Sequence, residues 1–239
     1  MSALTWLDPD RLEFPPATAA LSQPAGLLAA GGDLSPARLE LAYRSGIFPW
    51  YEEDSPILWW SPDPRAVVRP GELHISRSLR RRLNGGHYRV TLDHAFEAVV
   101  AGCAALREDS GGTWITPAMA AAYGRLHQLG IAHSVEVWID ERLAGGLYGV
   151  AIGACFFGES MFSRRTDASK IAFVHLLGEL GERGFPLFDC QLPNPHLLRL
   201  GVRTMRRNAF LAELRLLVDR DAEIGPWTLH WRWPPASTR

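Results

Sequence analysis

Four residues carry the chemistry that this sequence offers. Asp189, Cys190 and Gln191 end a short strand-like run, Pro186-Leu187-Phe188. Glu159 stands in Gly158-Glu159-Ser160-Met161-Phe162-Ser163-Arg164, between the uncharged stretch Leu143 to Phe157 and a helical pattern opening at Asp167-Ala168-Ser169-Lys170. On a strand, residues two apart share a face, so Asp189 and Gln191 are expected to project together and Cys190 the other way. A carboxylate behind a carboxamide orients it, and the amide then accepts a hydrogen bond from an amine or donates one to an oxyanion. A plainer reading has Asp189 cap the helix that starts near Asn194, with Gln191 in a solvated loop. Cys190 is either a nucleophile or a buried structural thiol, and an apolar strand favours the thiol. Glu159 either joins an ion pair with Arg164 or Lys170 or holds a cationic substrate group at a strand end. Strand-to-helix junctions are where α/β proteins place ligands, so the two strand ends are expected to meet at one site.

The elements that must position these residues follow from pattern. Up to about residue 65 the chain is rich in Pro and Gly, with short aromatic segments such as Phe48-Pro49-Trp50 and Leu58-Trp59-Trp60 that cannot form long elements. Ser35 is the expected N-cap and Pro36 the first residue of a helix through Leu39, Ala42 and Tyr43, closed at Ser45-Gly46. Residues 1–65 are therefore read as a small N-terminal domain and 66–239 as a larger one. In the second part Ala66-Val67-Val68 and Tyr88 to Leu92 read as strands, and Ile75 to Leu83 as a helix bearing Arg77, Arg80, Arg81 and Arg82. A Gly111-Gly112 turn precedes a helix from Thr116-Pro117 that includes Met119, Tyr123 and Leu126. Ser134–Ile139 and Leu143–Ile152 read as a hairpin joined at Asp140-Glu141, with strand character continuing to Phe157. Ile171, Val174, Leu177 and Leu180 mark a long amphipathic helix. Helices follow over Asn194–Leu200 and Ala209–Val218, and the Trp- and Pro-rich tail from Asp221 has no assigned element. The order is mixed α/β (α+β), and it suits an acyltransferase-like fold better than a doubly wound sheet.

Bulk properties narrow the function. The chain has 239 residues, 47% of them hydrophobic and 21% charged, with a net charge of -1. That is a globular composition, and nucleic-acid binding would need only a local basic face. The three cysteines form no C-x-x-C pair, which fits a reducing compartment. The N-terminus lacks a basic-then-apolar signal pattern, and the uncharged run Leu143 to Gly158 is short for a bilayer span, so no membrane association and a cytoplasmic location are expected. There is no H-E-x-x-H, no Cys/His zinc spacing, no G-x-x-x-x-G-K-[ST] loop and no dinucleotide Gly fingerprint, so no metal, ATP or NAD cofactor is expected. Arg77, Arg80, Arg81 and Arg82 form one cationic cluster and Arg203, Arg206 and Arg207 another. Either alone is ordinarily a solvated face; together with Trp50 and Trp114 they fit RNA, phosphates meeting Arg and a terminal base stacking on a ring.

Longer segments carry a resemblance. FPW (Phe48–Trp50), LWWSPDPRAV (Leu58–Val67), LHISRS (Leu73–Ser78), TWIT (Thr113–Thr116), AHSVEVW (Ala132–Trp138), GGLYGV (Gly145–Val150), GESMFSR (Gly158–Arg164), DASK (Asp167–Lys170) and DCQ (Asp189–Gln191) resemble the leucyl/phenylalanyl-tRNA–protein transferase family. The resemblance runs from about Phe14 to Leu211. It implies a small N-terminal domain and a larger C-terminal domain like the GCN5-related N-acetyltransferases. It implies transfer of Leu or Phe from aminoacyl-tRNA to the α-amino group of proteins beginning with Lys or Arg, which marks them for degradation, and it implies no cofactor. On the matching positions Asp189 and Gln191 would be the catalytic pair and Glu159 would lie at the acceptor-peptide side. Leu147, Phe156, Met161, Leu176, Leu180 and Phe188 would line the pocket for the transferred side chain, with Asn194 near. Tyr43, Trp50, Trp114 and Tyr123 would surround the terminal adenosine; Arg77, Arg80, Arg81 and Arg82, on the strength of their charge rather than of the resemblance, are expected to meet the tRNA backbone. Two other readings share the residues. An acetyl-CoA-dependent N-acetyltransferase would need a pyrophosphate loop, and the nearest stretch, Arg82-Leu83-Asn84-Gly85-Gly86-His87, ends in His and fails. A non-catalytic tRNA-end binding module would bind tRNA without Asp189 or Gln191.

Overall fold

The computed structural model describes residues 4–108, 114–221 and 224–235. The expected Gly111-Gly112 turn and Thr113 of the TWIT segment lie outside them. In chain order the strands and α-helices are β1 Thr5–Leu7, β2 Leu27–Gly31, α1 Pro36–Arg44, β3 Phe48–Pro49, β4 Leu58–Trp60, β5 Arg65–Val68, α2 Arg77–Gly85, β6 Arg89–Leu92, α3 Phe96–Glu108, α4 Pro117–Gln128, β7 Ala132–Ile139, β8 Arg142–Ile152, β9 Cys155–Ser163, α5 Ala168–Glu182, β10 Leu187–Gln191, α6 Pro195–Arg199, β11 Arg203–Met205 and α7 Arg207–Arg215. This is the mixed α/β architecture expected, with a small N-terminal domain. Its sheet has four strands in the order β1-β2-β4-β3, and the larger sheet has seven in the order β11-β5-β10-β9-β8-β7-β6.

Local chemistry accounts for the elements. The Ser35 hydroxyl accepts from the Arg38 N–H and Pro36 fills the first turn, which starts α1. Thr116 and Pro117 do the same for α4, and Asn194 with Pro195 for α6. The hairpin of β7 and β8 turns at Asp140 and Glu141, both at positive φ, the mirror-type geometry that matches strand twist.

Alternation along the strands builds a core on each face of the large sheet. Val67, Tyr148, Val150, Cys155, Phe157 and Leu187 pack with α1, α3 and α4 on one side. Ala66, Val68, Leu147, Phe156 and Phe188 pack with α5 and α2 on the other. The first core also takes in Leu39, Phe48 and Trp59, so the small sheet is anchored to the large one by shared burial. The tail forms no regular element but is tied down. Trp227 donates its backbone N–H to Asp93 Oδ2 at 2.6 Å and stacks its ring on His133, and the backbone N–H groups of His230 and Trp231 converge on Glu179 Oε2.

Candidate active site

Two bulges on adjacent strands make the site. β9 and β10 run parallel, with Asp189 opposite Phe157. Extending that register by two residues sets Gln191 beside Glu159. Against β8, Tyr148 pairs with Ser160 and Gly149 with Gly158, which leaves Glu159 as the extra residue. Against β5, Asp189 pairs with Val67 and Gln191 with Ala66, which leaves Cys190 as the extra residue. A bulge re-aims side chains, and here both turn polar groups into one cleft. Glu159 is thus in the middle of β9, not at the strand-to-helix junction expected from the sequence.

The second bulge also breaks the expected alternation of Asp189 and Gln191. Gln191 adopts φ 62, a left-handed conformation that costs a non-Gly residue about 1–3 kcal/mol. Its side chain and that of Cys190 both line the cleft, while Asp189 is 0% exposed behind them. Asp189 caps no helix, and the hydrogen bond it accepts from Gln191 comes from the backbone and not from the side-chain amide. Its Oδ1 accepts from the Gln191 N–H at 2.8 Å and from Arg65 Nε at 2.9 Å, and its Oδ2 from Arg65 Nη2 at 2.6 Å. The Gln191 amide is oriented instead by Glu159, to whose Oε1 its Nε2 donates at 2.8 Å.

Glu159 is the centre of a buried polar cluster and belongs to no ion pair among the described residues; Lys170 pairs with Asp167. The Tyr43 hydroxyl donates to its Oε1 and the Tyr123 hydroxyl to its Oε2, each at 2.7 Å, and the two hydroxyls lie 2.6 Å apart. Burial pushes the Glu159 carboxyl up to about 7; the tyrosine bonds pull it back, and the Asp189 charge adds to the rise. Burial also raises both tyrosines well above their ordinary value, with the Glu159 charge as the next cause.

The cleft encloses about 380 Å³, the scale of a small-ligand site. Leu147, Met161 and Phe188 form its apolar wall, joined by Phe173 of α5, and Trp50, Trp114 and Asn194 lie along it. Trp50 is 41% exposed, and its ring lies 5.5 Å from that of Trp60, whose Nε1 bonds the Trp50 carbonyl. Other expectations need correction. Tyr43 and Tyr123 are 0% exposed and lie beneath the cleft, supporting Glu159, so neither offers a ring to a nucleotide. Leu176 and Leu180 of α5 are buried in the core between that helix and the sheet, and Phe156 sits behind Phe188 at 5.3 Å between ring centres, so these three do not reach the cleft wall. Arg77, Arg80, Arg81 and Arg82 are exposed on α2, and among the described residues none is in a salt bridge.

Sequence reasoning missed Arg65 and the tyrosine support of Glu159. A charged residue opening the apolar run Arg65-Ala66-Val67-Val68 was the available signal for the first. For the tyrosines it was their core-facing helical spacing. No group of three or more His, Cys, Asp or Glu among the described residues is arranged to hold a metal ion, and no described helix is long and apolar enough to cross a membrane.

Comparison with known proteins identifies the family. Residues 67–215 match the family model "Leucyl/phenylalanyl-tRNA protein transferase", and residues 32–63 match the model of its N-terminal domain. A leucyl/phenylalanyl-tRNA–protein transferase of Stutzerimonas stutzeri (strain A1501) is 58% identical over 229 residues, 96% of this chain and 99% of its own. One of Hahella chejuensis (strain KCTC 2396) is 55% identical over 229 residues, 96% of this chain and 97% of its own. Among solved structures, a GCN5-related N-acetyltransferase from Kribbella flavida is 13% identical with a TM-score of 0.39, over 70% of this chain and 60% of its own. The chain is an aminoacyltransferase. It belongs to the leucyl/phenylalanyl-tRNA–protein transferase family.

Proposed function

We propose that this protein transfers Leu or Phe, and also Met, from aminoacyl-tRNA to the α-amino group of proteins beginning with Lys or Arg, marking them for degradation in the cytoplasm. The observation that carries the reading is the bond from Gln191 Nε2 to Glu159 Oε1 at the apolar cleft. It turns the amide nitrogen toward Glu159, using one of its two N–H groups, and leaves the amide oxygen as acceptor for an incoming amine. The acceptor's α-amine has a pKa of about 8, so an appreciable fraction is neutral near neutral pH and a modest base suffices. The amine nitrogen attacks the ester carbonyl, one amine proton being held by the Gln191 oxygen. The bond to the terminal ribose oxygen then breaks, and the proton that the amine gives up ends on that oxygen, so the products are the new peptide bond and a free ribose hydroxyl. The donor ester is already activated, so positioning supplies most of the rate.

The transferred side chain lies among Leu147, Met161, Phe173 and Phe188. A pocket of Leu, Met and Phe side chains accepts Leu, Phe and Met and separates them weakly. Trp50 and Trp114 receive the terminal adenosine, and the arginines of α2 the RNA backbone.

The test is incubation with Leu-, Phe- and Ile-charged tRNA and an Arg-starting peptide, scored by mass. The peptide should gain one Leu or Phe residue, little Ile, and nothing when its α-amine is blocked. A peptide modified with acetyl-CoA as donor, or unmodified by any charged tRNA, would overturn the reading.

A further inference from the structure

Behind the cleft lies a charge pair that the transfer chemistry does not itself use. Arg65 and Asp189 are both 0% exposed and bond through two nitrogens and two oxygens. The guanidinium is held between two rings, with its carbon 5.0 Å from the Phe48 ring centre and 4.6 Å from that of Phe210. Its third contact is Nη1 to the Gly46 carbonyl at 3.1 Å, which also accepts from Ser61 Oγ. That carbonyl is itself fixed. Gly46 has φ +71, and a Cβ there would stand 2.5 Å from Leu211 and 3.1 Å from Phe210.

The chain of contacts leads directly to the reacting amide. Arg65 fixes the Asp189 carboxylate, and Asp189 Oδ1 holds the N–H of Gln191 in its left-handed conformation. That backbone turn aims the amide at Glu159 and the cleft. A planar fork suits such a task, because it fixes both the direction and the distance of a carboxylate. An unpaired Asp189 at this depth would be strongly disfavoured, so the carboxylate needs a fixed cation.

We propose that Arg65 is a positioning residue for the transfer reaction, setting the conformation of Gln191 through Asp189 from an anchor on Gly46, Phe48 and Phe210. The inference rests on Gln191 being the reacting amide. Arg65 touches no substrate, so its loss should act on turnover and leave donor binding alone.

The test is Arg65→Lys in the full chain, which keeps the charge but not the fork. Single-turnover rates at saturating donor and acceptor are normalised to the folded fraction, and donor Kd is measured separately. The rate per folded molecule should fall about 10- to 100-fold, the cost of a small misplacement of a reacting group. Donor Kd should stay within about twofold, since phosphate and ring contacts supply it. An unchanged rate, or a rate and an affinity that fall together, overturns the proposal. Where Arg65→Lys does not fold, Phe210→Leu slackens the same clamp, and its rate should fall about threefold on the same logic; no change overturns the proposal. Gln191→Ala run alongside separates the two ideas. If it keeps the wild-type rate, the reading of the site fails and this inference with it. If it is inactive while Arg65→Lys is normal, only the role of Arg65 fails.

Discussion

Glu159→Gln gives the buried cluster a quantitative test. The wild-type carboxyl is 7% exposed, accepts from Tyr43, Tyr123 and Gln191, and sits at about 7 where an unfolded chain would show about 4.5. That difference corresponds to about 3 kcal/mol of preference for the protonated folded state. Because the folded-state value is raised, this stabilisation is fully present below about pH 4.5 and is lost as pH rises through about 7. Glutamine cannot titrate. Urea unfolding of both proteins from pH 4.5 to 8.5 should therefore show the wild type losing stability relative to the variant, by about 3 kcal/mol over the range. Other ionisable groups are common to both chains and cancel in the difference. A difference that stays flat across pH would refute the argument, because the carboxyl would then titrate alike in folded and unfolded chains.

Two further perturbations test the ligand surfaces. Gly158→Ala would place a Cβ 2.7 Å from the Phe188 ring, so that ring, which lines the cleft, must shift, and kcat/KM for a Phe donor should drop about tenfold and more than for a Leu donor. Removing Arg77, Arg80, Arg81 and Arg82 together should flatten the slope of log Kd for tRNA against log salt by about 3, and leave turnover at saturating donor unchanged.

Sequence signals with a local cause were legible. Ser35-Pro36 and Thr116-Pro117 announce helix starts because cap and ring act within one turn. Asp140-Glu141 announces a hairpin because two residues must take positive φ between alternating runs. Asp189, Gln191 and Glu159 were legible as candidates, but not the way they face. Strict alternation fails where Glu159 and Cys190 are extra residues, and a bulge leaves no mark in hydrophobic period. The resemblance set Tyr43 and Tyr123 at the nucleotide. Their helical spacing with Leu39 and Ala42, and with Met119 and Leu126, is that of core positions, and burial followed the spacing. Arg65 could not be paired from sequence, since its carboxylate lies 124 residues away.

The proposed transfer depends on the Gln191 amide, and Gln191→Ala removes that amide alone. Single-turnover peptide-bond formation from Leu-tRNA should fall by about 100-fold or more, with donor Kd within about twofold of wild type. A variant that forms product at the wild-type rate, or loses donor affinity in step with rate, would contradict it.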